Sequence, residues 1–126
     1  MEVDMNLQQS LQANVLDDRF ISKYAILPDS ILEQGQNLVE LGVYEYAWKK
    51  EQVESILQIL KEKQVPVLGG DVYRVENGNI DSTCDSWFLE DDGSSDYLER
   101  SFDKTLSYIN DYELTNGKGY LYTIVF

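Results

Sequence analysis

The chain has 126 residues, 10 of them Lys or Arg against 23 Asp or Glu, with a formal net charge of −13 and no histidine. That charge disfavours nucleic acid and anionic membrane surfaces, which are bound largely through Lys and Arg. The missing histidine removes the usual base of serine and cysteine nucleophiles and the usual ligand of catalytic zinc.

At 43% hydrophobic and 12% aromatic, the chain can bury one core and is too short for two comfortable domains. No apolar run approaches the ~20 residues that span a bilayer. Met1–Asn6 lacks the basic and apolar regions of a secretory signal. With Cys84 alone, no internal disulfide can form, so a reducing cytoplasm is the expected location.

In chain order, residues 1–26 form an N-terminal extension. Leu7, Leu11, Val15 and Leu16 fall at helical spacing, and either a short helix or a loose terminus fits. Residues 27–126 form the domain. A helix is expected from Pro28, with Ser30 and Glu33 as a capping box and Gly35 as its stop. Within Leu38–Trp48, Val43, Glu45 and Ala47 alternate with Tyr44, Tyr46 and Trp48, which fits a short strand with one aromatic face, and a helix over part of the run fits too; Trp48 is expected in the core. Lys50–Lys63 is an amphipathic helix with Val53, Ile56, Leu57 and Leu60 on one stripe. A strand from Pro66 to Glu76 carries Gly69-Gly70, turns at Asn77-Gly78 and returns from Ile80 to Glu90. After a polar loop, Asp96–Tyr112 reads as a helix with Leu98, Phe102, Thr105, Leu106 and Ile109 inward. The chain ends on the buried strand Tyr120–Phe126. The fold class is α+β: a mainly antiparallel sheet packed against two main helices, a single layer of each.

Few short motifs here carry chemistry. Gly69-Gly70 is followed by Asp-Val-Tyr, not by the Gly-Lys-Ser/Thr that cradles phosphate, so a bulge or bend is the better reading. Asp81, Asp85 and Glu90-Asp91-Asp92 lack the fixed offsets of a calcium loop, and no metal or cofactor is expected. Asp71 and Asp85 would converge if their strands pair, which leaves a small carboxylate-dependent enzyme open as an alternative. The other reading has Asp71 accept backbone amides at the bend.

A broader signal is the band from Asp81 to Glu99, with seven acidic residues and no basic one. Aromatic residues lie inside it, a combination suited to a protein interface, with a generic acidic adaptor as a further alternative. The interface candidates are Asp71, Tyr73, Asp85, Trp87, Glu90, Asp91, Asp92, Asp96, Tyr97 and Glu99. Trp87, Tyr97 and Tyr73 are the expected anchors.

Leu41-Gly-Val43, Ala47-Trp-Lys49, Pro66-Val-Leu-Gly-Gly-Asp-Val-Tyr73, Asp85-Ser-Trp87, Glu99-Arg-Ser101 and Tyr120-Leu-Tyr-Thr-Ile-Val-Phe126 follow one another in a familiar order. With these blocks the chain resembles the Immunity protein 40 family over Leu27–Phe126. The resemblance implies a non-enzymatic α+β protein that neutralises the C-terminal domain of a cognate secreted toxin in the cytoplasm. It hands over no catalytic residues. The acidic surface would suit a basic toxin such as a nuclease, and a monomer is favoured.

Overall fold

The computed structural model describes residues 23–126; the expected helix or loose terminus before Lys23 lies outside them. Five antiparallel strands form one sheet, and the last strand of the chain lies at its centre. In chain order they are β1 (Gln36–Asn37), β2 (Tyr46–Trp48), β3 (Gly69–Glu76), β4 (Asn79–Phe88) and β5 (Tyr120–Thr123). Their order across the sheet is β1-β2-β5-β3-β4. Among the described residues, the α-helices that accompany the sheet are α1 (Asp29–Gln34), α2 (Lys50–Glu62) and α3 (Tyr97–Asn116).

Both long helices pack on one face of the sheet. Val53, Ile56, Leu57 and Leu60 of α2 and Phe102 and Ile109 of α3 join Trp48, Val72, Trp87, Tyr122 and Ile124 in one buried cluster. The apolar stripe of α2 forms this contact, as its i, i+3, i+4, i+7 spacing requires. Tyr24 is buried in the same cluster, so the packed unit includes residues before Leu27. Its phenol donates to Glu45 Oε1 (2.7 Å) and accepts the amide of Tyr46 (3.1 Å).

The opposite, outer face holds a smaller cluster of Leu38, Ala47, Tyr73 and Leu121, with Val43 and Ile80 packed against it. This is why Leu38–Trp48 holds a helical turn followed by a short strand. The Asn37 side chain accepts the Val39 amide (2.9 Å), a 3-10 turn spans Val39–Leu41, and Gly42 turns the chain at φ 79. Leu38 and Val43 thereby reach the outer face, and strand pairing resumes only at Tyr46. The expected aromatic face survives in Tyr46, which stacks on Trp48 at 5.9 Å.

Helix starts also differ from expectation. Pro28 is the N-cap of α1, and its carbonyl accepts the amides of Ile31 and Leu32. Ser30 therefore sits inside the first turn, and no side chain caps this helix. Gly35 ends it as expected, lying flat beneath the Trp48 indole, whose Nε1 donates to the Ile31 carbonyl (2.8 Å). At α2 the Gln52 side chain accepts the Lys49 amide (3.0 Å). Asn77 and Gly78 both have positive φ, 52 and 79, and make the two-residue turn between β3 and β4.

Candidate functional site

β3 begins with the glycine pair because both faces of the sheet are occupied there. Gly70 lies opposite Trp87 in the β3–β4 register, and its helix side is filled by the Trp87 ring. Gly69 lies opposite Phe88, and a Cβ on Gly69 would come within 2.9 Å of Phe88 Cα. The register then shifts: Asp71 pairs with Ser86 and Tyr73 with Ser82. The extra residues Thr83-Cys84-Asp85 bulge out of β4, with Cys84 at φ 67. Thr83 Oγ1 donates to the Val72 carbonyl (2.9 Å) and accepts the Asp85 amide (3.1 Å), fixing the bulge.

This geometry separates the two carboxylates considered for catalysis. Asp71 shares the outer face with Thr123, whose hydroxyl accepts the Asp71 amide (2.9 Å). Among the described residues the Asp71 carboxylate accepts no backbone amide; its Oδ2 accepts the Thr123 hydroxyl at 3.5 Å. Asp85 points to the helix side, where its Oδ2 accepts the Tyr112 phenol (2.7 Å). Both are exposed and lie on opposite faces, so they form no dyad. Among the described residues, no group of three or more acidic or cysteine side chains could hold a metal ion.

The three expected anchors are buried. Tyr73 fills the outer cluster, and burial first, then the Asp71 charge, pushes its phenol pKa up. Trp87 Nε1 donates to Thr105 Oγ1 (3.1 Å), and its ring stacks on Tyr108 at 5.0 Å. Tyr97 donates its hydroxyl to the Leu89 carbonyl, and burial raises its pKa. These rings support the surface instead of forming it.

The acidic residues stay outside. Asp92 and Asp96 are exposed and are tied by Ser94 and Arg100. Arg100 reaches Asp92 at 2.9 Å and Asp96 at 3.0 Å. Hydrogen bonds from Ser94, then the Arg100 charge, hold both carboxyls below their ordinary pKa. Asp91 accepts the Gly93 amide (2.9 Å). Glu90 is exposed, and Glu99 is exposed beside the groove between α2 and α3, a cleft of about 240 Å³ that Lys61 also lines. Among the described residues, no cation pairs with Asp71, Glu90 or Asp91.

One side chain of this region escaped the sequence reading as a surface residue. Phe88 is 72% exposed. Its signal lies in the neighbouring pair Trp87-Phe88, since successive strand residues face opposite sides of the sheet and the two rings cannot both pack against the helices.

The model of the family described as Immunity protein 40 matches residues 37–126. The chain belongs to the Immunity protein 40 family. The match includes the glycine pair, the bulged hairpin, the acidic loop and the central strand. No curated protein and no solved structure matches the chain. Like the expected fold, the Immunity protein 40 domain is α+β, with two main helices on a five-stranded antiparallel sheet. Among the described residues no helix is long and apolar enough to cross a membrane.

Proposed function

We propose that this Immunity protein 40 member binds the C-terminal domain of a cognate secreted toxin and neutralises it without catalysis. The family match over residues 37–126 carries this reading. Binding takes place in the cytoplasm of the producing cell and covers the toxin's active site or a neighbouring exosite. The net charge of −13 and the exposed Glu90 and Asp91, which pair with no cation among the described residues, favour a basic toxin, such as a nuclease, because complementary fields speed encounter.

Co-expression of this chain with the C-terminal domain of the secreted protein encoded beside it tests the proposal. The two are expected to co-purify, and the chain is expected to restore growth of cells making the toxin domain. A toxin domain that stays lethal and elutes alone would refute it.

A further inference from the structure

We infer that Phe88 is the anchor by which the toxin is held: it enters an apolar pocket of a basic toxin surface, with Asp71, Glu90 and Asp91 facing the surrounding cations. This rests on the toxin-binding reading above and specifies the face and the side chain.

Isolated exposed apolar residues are ordinary, and Leu114, 84% exposed near the end of α3, is one of them. Phe88 differs in how it is held. The residue before it, Trp87, is locked against α3 by the Thr105 hydrogen bond and the Tyr108 stack. The residue after it, Leu89, donates its amide to the Leu68 carbonyl (2.9 Å) and accepts the Tyr97 hydroxyl. Its cross-strand partner, Gly69, bridges to Val125 on the other side. Phe88 is thus fixed at both neighbours and across the strand, while its ring points away from the helices into solvent.

An exposed aromatic carried on a fixed backbone needs no backbone ordering on docking, and with two side-chain torsions it loses little freedom, which suits an interface anchor. Nothing opposite can cover the ring, because Gly69 has no side chain and no room for one.

The charges around the patch select the occupant. Asp71 sits diagonally across the strand pair from Phe88, opposite Ser86. Glu90 and Asp91 follow Leu89 in the chain. No cation pairs with these three among the described residues, and the nearby Arg100 is engaged by Asp92 and Asp96. An exposed ring with one carboxylate diagonally across the strand pair and two more close behind it in the chain is complementary to an apolar pocket bordered by Lys and Arg. A second copy of the chain fits poorly, since each copy brings a charge of −13 to the contact. Strand addition along β4 fits poorly too, because the bulge at Cys84 interrupts that edge.

The test measures affinity for the purified C-terminal toxin domain encoded beside the chain, using the full chain and its variants. Phe88→Ala is expected to bind at least about tenfold more weakly with an unchanged melting temperature. Leu114→Ala is expected to bind as the wild type does. The triple change Asp71→Asn, Glu90→Gln, Asp91→Asn is expected to slow association at low salt and to lose that effect at high salt. If wild type binds and rescues while Phe88→Ala binds within about twofold of it, the anchor is refuted and toxin binding stands. If wild type does not bind the domain, the functional reading fails and the anchor with it. A wild-type dimer in sedimentation that Phe88→Ala dissociates would assign the patch to a second copy and overturn the inference.

Discussion

The Trp87 indole lies across Gly70, its direct partner on β3, and leaves no space there for a side chain. A Cβ at Gly70 would meet ring atoms of Trp87 on one side and the Thr123 carbonyl oxygen on the other. The ring is buried and the carbonyl belongs to the central strand, so neither can move cheaply. Gly70→Ala is expected to lower stability by about 3 kcal/mol in urea denaturation, the cost of overpacking a filled site. Gly93→Ala supplies the contrast. Nothing lies within 4 Å of its Cβ, and only its φ of 76 opposes the change, so about 1 kcal/mol is expected. Equal losses at the two positions would remove the steric account of the glycine pair.

The sequence suggests Trp87 as an interface anchor, and its burial makes a different prediction. Trp87→Ala empties a large buried volume and is expected to cost about 4 kcal/mol. Thr105→Val keeps the shape but leaves the indole N–H without its acceptor, with an expected loss of about 2 kcal/mol. Thermal melts followed by tryptophan fluorescence read both. A Trp87→Ala protein as stable as wild type would place the ring outside the core.

The elements with strong local signals were legible in the sequence. The α2 stripe, the Asn77-Gly78 turn, the buried Trp48 and the final strand are set by short-range spacing and turn chemistry, and all are in the structure. What depends on distant partners was not. Whether Leu38–Trp48 runs as one strand is decided by an outer cluster that draws Leu38 and Val43 onto Tyr73 and Leu121. The separation of Asp71 from Asp85 is decided by a bulge centred on Cys84, which no residue type announces. Among the site candidates, the acidic residues lie on the surface, while the aromatics chosen with them are buried. Aromatic identity signals large buried area or a strong contact equally well, and only the face of the strand distinguishes them.

Arg100 gathers Asp92, Ser94 and Asp96 into one turn at the start of α3. Arg100→Ala is expected to speed amide hydrogen exchange at Gly93 and Ser94, because the loop loses its clamp. The melting temperature should hardly change, since these ion pairs are exposed and screened by solvent. Unchanged exchange at both amides would mean that the Asp91 and Asp92 backbone contacts alone hold the loop.

Stability is expected to fall at alkaline pH through the buried tyrosines. Burial, then the Glu113 carboxylate that accepts its hydroxyl at 2.9 Å, raises the Tyr122 pKa far above the ordinary value of 10.0. Burial, then Glu45, does the same to Tyr24. Above pH 10 the unfolded chain releases these protons while the folded chain keeps them. The folded state then binds more protons, so stability declines with rising pH. The contribution is complete below the ordinary tyrosine value and is lost as pH climbs toward the folded values. Urea midpoints should hold steady from about pH 8 to 9 and drop from about pH 10 upward. Tyr122→Phe should flatten part of the drop. A midpoint independent of pH across that range would show that the phenols ionise without unfolding the chain.

The excess of 13 negative charges predicts the kinetics of toxin binding more directly than its strength. Surface carboxylates such as Glu90 and Asp91 act at long range during encounter, when water still separates the partners. Their field is screened over ~10 Å at 0.1 M salt and ~3 Å at 1 M. Contacts made by a docked apolar side chain are far less sensitive to salt. The association rate for a basic toxin domain is therefore expected to fall by about tenfold or more between low and high salt. The dissociation rate should change much less. Stopped-flow measurements across a salt series separate the two. An association rate flat with salt would remove electrostatic steering while leaving a toxin complex held by apolar contact.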